Sequence, residues 1–245
     1  MDRVAFSILG IDVMWYGILI ATGMILAVFI AIREAGRVGY NDNDVVDLSL
    51  FLLPLGIIGA RIHYVIFSWD YYSKNPAEIL NIRGGGLAIH GGIIAGIVTV
   101  LIYTKIKKFD FYKFADVVIL GVPLAQAIGR WGNFINKEAH GGPTNLPWGI
   151  LIDGQKVHPT FLYESLWNVI VFGILFFRRK NKKYEGQLLV DYVILYSIGR
   201  FFVEGLRTDS LMIGPLRIAQ LLSFIGVILG FILSGILRKR SKNGV

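Results

Sequence analysis

The chain has no cysteine. That absence excludes disulfides, thiolate metal sites and a cysteine nucleophile supplied by the chain itself. Charge is also scarce: Asp, Glu, Lys and Arg make up 17% of the 245 residues, against about 25% in an ordinary soluble domain. The sequence contains no Ser-centred nucleophile elbow, no phosphate-cradling P-loop and no paired-histidine metal motif, so a metal enzyme is not expected. Apolar residues fill the space, at 54% with a mean hydropathy of +0.59, together with 29 glycines. This composition belongs to a polytopic membrane protein, and the fold class expected is all-α, a bundle of transmembrane helices.

Seven apolar stretches lie near the about 20 residues that a bilayer core requires: Val13–Ile32, Leu48–Phe67, Leu87–Tyr103, Phe114–Ile128, Thr160–Phe177, Leu188–Val203 and Ile213–Leu237. They read as one integral membrane domain over residues 1–245, with an ordered outer loop at 129–159. The first stretch reaches a full span with no small-residue cleavage site, so no cleavable signal peptide is expected. The net charge of +8 raises nucleic-acid binding, but the positions of the charges argue otherwise. Fifteen of the 25 Lys and Arg fall on one side of the seven spans, from Arg33 and Arg37 through Lys105–Lys113 and Arg178–Lys183 to Arg238–Lys242, and eight fall on the other. The positive-inside rule then places the N-terminus outside and the C-terminus in the cytoplasm. The basic excess is an orientation signal with some attraction for membrane lipid headgroups, and no nucleic acid is expected as a partner.

The second and fourth apolar stretches share a pattern at an offset of 69: Asp47, Pro54 and Arg61 stand against Asp116, Pro123 and Arg130. Two copies of a helical hairpin would produce it. An arginine inside a membrane is costly and normally meets a partner, water or an anion. For Arg61 the expected outcome is snorkelling or a carboxylate partner. Arg130 and Arg200 either pair with acidic residues such as Glu138 and Glu204 or bind an anion.

Three polar islands interrupt the apolar sequence. Gly129 to Thr144 sets Arg130, Asn133, Asn136 and Glu138 among glycines that include Gly141; small residues admit a ligand close to backbone, and the planar arginine fork suits phosphate. Tyr196 to Asp209 puts Tyr196, Arg200 and Glu204 on one helical face, with Arg207 a turn further. Gly84 to Gly92 places His90 at the outer entrance of the third span. His140 and His158 read as structural, His63 as packing, and Asp47, Asp116 and Asp191 as caps of outward-running helices.

In these islands the chain resembles the bacterial prolipoprotein diacylglyceryl transferases. Gly129-Arg130-Trp131-Gly132-Asn133-Phe134-Ile135-Asn136 with Glu138 and Gly141 is similar to the family signature. Tyr16-Gly17, the glycines around His90, His158-Pro159-Thr160, Leu162-Tyr163-Glu164 and Gly199-Arg200 through Glu204 and Arg207 extend the likeness along the chain. Lys137 and Gly142 depart from a Gly and an Arg found in many members.

The resemblance implies transfer of the diacylglyceryl group of phosphatidylglycerol to the lipobox cysteine thiol of a prolipoprotein signal peptide, at the outer face of the bacterial cell membrane. It further implies a phosphate clamp of Arg130 and Arg200 with Arg207 at the rim, and His90 as acceptor of the thiol proton or as a residue that orients the substrate. Asn133 is assigned to phosphate or glycerol hydroxyls and Tyr16 to the headgroup. Glu138 and Glu204 are assigned to positioning the arginines, and Gly141 to close backbone approach. No cofactor is needed, because the lipid carries its own leaving group. The competing reading from the residues alone is an anion or lipid-headgroup transporter built on the same arginines, with a seven-helix receptor as a third.

Overall fold

The computed structural model describes residues 2–8, 10–82 and 85–243. Arg83 and Gly84, used in the charge count and the third polar island, lie outside the described residues. In chain order the elements are β1 (Val4–Ile8), β2 (Ile11–Met14), α1 (Trp15–Val38), α2 (Asp42–Phe67), α3 (Trp69–Tyr72), a 3-10 turn (Pro76–Leu80), α4 (Ile89–Lys107), α5 (Phe111–Ile119), α6 (Val122–Asn136), β3 (Ile150–Ile152), β4 (Gln155–Val157), α7 (Thr160–Arg178), α8 (Gln187–Glu204), β5 (Met212–Ile213), β6 (Leu216–Arg217) and α9 (Ile218–Lys242).

The protein is mostly helical, and among the described residues six segments are long and apolar enough to cross a membrane: α1, α2, α4, the α5–α6 pair, α7 and α9. Side chains along them are widely exposed, Ile25 at 71%, Leu50 at 67% and Ile106 at 73%, a surface suited to lipid and not to water. The expected sixth stretch, Leu188–Val203, forms α8, but its 18 residues carry Asp191, Arg200 and Glu204, which sets it apart from the six. Short strands accompany the helices. Three antiparallel hairpins, β1–β2, β3–β4 and β5–β6, lie between or before the helices. Each is too short to dominate an apolar window, and one is closed by Asp153 and Gly154, both at positive φ, as a tight two-residue turn requires.

Two compact units divide the chain, residues 32–115 and residues 1–31 with 116–245. Within the first, α2 starts at a capping box in which the Asn41 side chain and Asp44 satisfy each other's backbone donors. Asp47, expected to open this helix, is therefore one turn inside it and pairs with Lys107 at 3.6 Å. α2 packs against α4 through glycines: a Cβ on Gly59 would meet Gly91 O at 2.7 Å and Ala95 Cβ even closer. Such small-residue contacts are how membrane helices approach without a hydrophobic driving force. Fully buried Phe114 closes the other end against Tyr40, Tyr103 and Phe109.

In the second unit α6 packs on α7, α7 on α8 and α8 on α9. Leu120, Val171, Leu175 and Leu188 form its apolar core. Gly121 faces Ala27 and Gly23 faces Ala125, with a Cβ on either glycine coming within about 3 Å of opposing backbone, so two small-residue pairs seat α1 on the start of α6. Asp116 is buried, yet it caps a helix other than its own: its carboxylate accepts from Gly186 N (2.9 Å) and Leu189 N (3.0 Å) at the start of α8, and from Lys182 (3.1 Å). The partially positive helix N-terminus and the lysine offset the cost of burying that charge.

The sequence pattern shared by residues 47–61 and 116–130 ends in two different local structures. Pro54 lies inside a continuous α2, whereas the helix breaks before Pro123, which occupies the first turn of α6. That is the helical position where the missing N–H costs nothing.

Candidate functional site

The expected loop at 129–159 begins later than its composition indicates. α6 continues to Asn136 and closes on Lys137 in the left-handed region. Gly129, Gly132 and the two asparagines read as loop residues, yet Gly132 is required by packing, since a Cβ there would collide with the Tyr16 ring. Arg130, Asn133 and Asn136 consequently stand on a helix, a stiffer mount than a loop.

Arg130 is held at Nε by Glu164 Oε2, and Glu164 Oε1 accepts from Arg200 NH1. One carboxylate from the first turns of α7 thus bridges arginines of α6 and α8. The Glu164 side chain is 7% exposed and the two arginines about a fifth. Arg200 also meets Glu204 Oε2 at 2.5 Å, one turn along the same helix, and Arg207 stands 3.9 Å from that oxygen. Glu204 is buried, and its backbone carbonyl accepts from Arg217. The terminal nitrogens of Arg130, which carry four of its five N–H groups, have no hydrogen-bond partner among the described residues. Gly199 gives this layer its tightness, because any Cβ there would enter the Trp167 indole, whose Nε1 donates to Leu195 O at 2.8 Å.

Glu164 is the residue that the reading of the islands did not assign. The expected partner of Arg130 was Glu138, but Glu138 instead accepts from Asn133 (2.9 Å) and Asn136 (3.5 Å). Asn133 and Glu138 are therefore paired with each other, and the tyrosine expected at the headgroup, Tyr16, lies within electrostatic reach of both Glu138 and Arg130. The signal for Glu164 was its position as the sole acidic residue of the largely apolar α7. A carboxylate buried in an apolar helix needs a cation, and the arginines of α6 and α8 supply two.

Gly141 takes part in the scaffold. Its N–H donates to His158 O (2.9 Å), it bridges to Arg207, and a Cβ would lie 2.7 Å from His158 Cβ and 2.9 Å from Leu206 O. Gly142 N donates to Leu206 O in turn. The segment after α6 is thus sewn to the turn after α8 that carries Arg207. His158 and Trp148 both meet the Tyr163 hydroxyl, at 3.3 and 2.9 Å.

Arg207 is oriented by a two-pronged bridge to Asp209, Nε to Oδ1 at 2.9 Å and NH2 to Oδ2 at 2.6 Å. Burial works against the Asp209 charge, but the hydrogen bond and charge of Arg207 outweigh it and hold the carboxyl below its usual range. A depressed carboxyl stabilises the fold above its unfolded pKa of about 3.9 and loses that contribution as the pH falls through the lowered folded value. The gap in thermal midpoint between the protein and an Asp209→Asn variant should therefore be constant from pH 8 to 5 and close below about pH 4. A gap that already closes near pH 6 would show that the bridge does not hold this turn.

His90 belongs to the other unit, residues 32–115. It occupies the first turn of α4, its ring 6.1 Å from that of His63, and His63 stacks on Phe67 at 4.5 Å. Arg61 does not snorkel; it is buried, and among the described residues backbone carbonyls, not a carboxylate, take its donors.

The family model described as prolipoprotein diacylglyceryl transferase matches residues 3–236. The chain belongs to the prolipoprotein diacylglyceryl transferase family. Among its relatives, a protein of Clostridioides difficile (strain 630) is 64% identical over 245 residues, covering 100% of this chain and 99% of its own. One of Finegoldia magna is 58% identical over 234 residues, at 95% and 94% coverage, and one of Bacillus cytotoxicus 50% over 253 residues, at 98% and 93%. All three are named phosphatidylglycerol–prolipoprotein diacylglyceryl transferase. The family match runs through every element that carries Tyr16, His90, Arg130, Glu164, Arg200 and Arg207.

Proposed function

We propose that this chain is a membrane transferase that moves the diacylglyceryl group of phosphatidylglycerol onto the lipobox cysteine thiol of a prolipoprotein. The observation that carries the reading is the convergence of Arg130 and Arg200, from two helices, on the single carboxylate of Glu164. It supplies fixed, preoriented positive charge in an apolar setting, the arrangement that stabilises a departing phosphate most strongly.

The chemistry sets two demands. The thiol, with an ordinary pKa of about 8.5, must lose its proton, and His90 accepts it. The thiolate sulfur then attacks the glycerol carbon that bears the phosphate. An S–C bond forms, the C–O bond to phosphate breaks, and glycerol phosphate leaves with the electron pair. Arg130 and Arg200 bind the phosphate and take up the charge that grows on it, with Arg207 at the rim. Glu164 and Glu204 aim the arginines. Asn133 binds the phosphate or the glycerol hydroxyls, Glu138 holds Asn133, and Tyr16 meets the headgroup. The protein crosses the bacterial cell membrane seven times, α8 included, with its N-terminus outside, its C-terminus in the cytoplasm and its site toward the outer face. The charge asymmetry across the spans supports that orientation. α8 can carry its three charges in the membrane because Arg200 and Glu204 face each other and Asp191 meets Arg178 at 3.2 Å.

Purified protein incubated with phosphatidylglycerol and a lipobox peptide should yield a peptide heavier by one diacylglyceryl group, with one glycerol phosphate released per adduct. Accumulation of phosphate or glycerol phosphate inside protein-bearing vesicles, with no adduct formed, would overturn the transferase in favour of the transporter.

A further inference from the structure

Arg61 is 6% exposed, and among the described residues no carboxylate pairs with it. Its guanidinium instead gathers one stretch of main chain. Nε donates to Ile79 O (2.9 Å), NH1 to Gly85 O (2.7 Å) and Gly86 O (3.0 Å), and NH2 to Glu78 O (2.6 Å) and Asn81 O (3.0 Å). The Tyr72 ring covers the cation at 5.1 Å. All five N–H groups of an arginine are thereby used, so none is left to bind a substrate anion. The segment bound in this way leads directly into α4. Ala88 N donates to Ala60 O (3.0 Å), beside Arg61, and Gly91 presses on Gly59. His90 stands in the first turn between these two ties.

We propose that Arg61 is a positioning residue that fixes residues 78–81 with Gly85 and Gly86 and, through them, the placement of His90. The inference rests on the reading of His90 as proton acceptor. A fork with five donors in one plane is what the task needs. A lysine offers three donors at a single point and cannot span five carbonyls spread over nine residues. The requirement is reciprocal: Gly86, at φ +77°, lies so close that a Cβ would sit 2.5 Å from Arg61 NH1 and 2.7 Å from Tyr64 Cε1.

The test combines Arg61→Lys with His90→Asn and reads peptide modification and hydrogen exchange. Arg61→Lys alone should lower kcat/KM by about tenfold or more, as small displacements of a reacting group do, with the loss in kcat and not in the KM for phosphatidylglycerol. Exchange at residues 85–88 should quicken while the middle of α2 keeps its protection. In the His90→Asn background the same Arg61 change should alter the rate by less than about twofold, since non-additivity marks residues acting as a unit. An equal loss in both backgrounds, or unchanged exchange at 85–88, would overturn the role of Arg61. A His90→Asn variant that transfers at the normal rate would overturn the assignment of His90 itself, a separate result. Should Arg61→Lys fail to fold, Gly86→Ala disturbs the same contact from the segment's side and must give the same non-additive pattern.

Discussion

Glu164→Gln should lower diacylglyceryl transfer by about a hundredfold or more while the protein still folds. The carboxylate is buried and, among the described residues, is the only one that pairs with both Arg130 and Arg200. Glutamine keeps its volume but has a single acceptor oxygen and no charge, so it can hold one arginine at most. The other loses its anchor, and leaving a buried charge uncompensated costs about 3–5 kcal/mol. Two responses follow: the arginines swing toward solvent or toward Glu204, and the phosphate meets a misplaced fork. Displacements of this kind away from the reacting atoms cost about 10²-fold. Glu164→Asp separates position from charge. It keeps both oxygens but draws them back by one methylene, and it should fall between glutamine and the parent protein. Peptide modification measured by mass on the three proteins checks the order. Full activity in Glu164→Gln would show that the bridge is incidental.

Arg130→Lys carries the second large effect, a loss of about 10²–10³-fold in kcat, comparable to removing one donor to a developing anion. Lysine preserves the charge and the contact to Glu164, so the variant isolates the planar fork. In this structure Glu164 occupies only the Nε side of that fork; the two terminal nitrogens, which lysine lacks, are those that would grip phosphate. Arg200→Lys should cost less in phosphate contact and more in order, because Arg200 spends NH1 and NH2 on Glu164 and Glu204. Activity undiminished in Arg130→Lys would remove this residue from the clamp.

How far the sequence alone reached depends on which physical signal each feature leaves. Apolar runs of membrane length leave a strong one, and the helices stand where those runs are, with ends shifted by a few residues. Arg130 and Arg200 stood out because a cation in an apolar helix is expensive and demands an explanation. The partner that explains them was hidden. Glu164 lies 34 and 36 residues away along the chain, and no local spacing announces a contact that only the packing of α6 and α8 around α7 creates. The fate of Arg61 was hidden for a similar reason: backbone carbonyls have no sequence signature, so a carboxylate or the surface was the natural expectation. Gly129 and Gly132 misled in the opposite direction. Glycine marks both turns and tight helix contacts, and only the Tyr16 ring beside Gly132 tells which.

Phosphate binding by Arg130 and Arg200 can be measured with no acceptor peptide present, when no chemistry occurs. Native mass spectrometry of the purified protein with phosphatidylglycerol and diacylglycerol of the same acyl chains reads the contribution of the headgroup alone. The parent protein should retain phosphatidylglycerol in clear preference, and the Arg130→Lys, Arg200→Lys double variant should retain the two lipids alike. An undiminished preference in the double variant would contradict the assignment of these arginines to the phosphate.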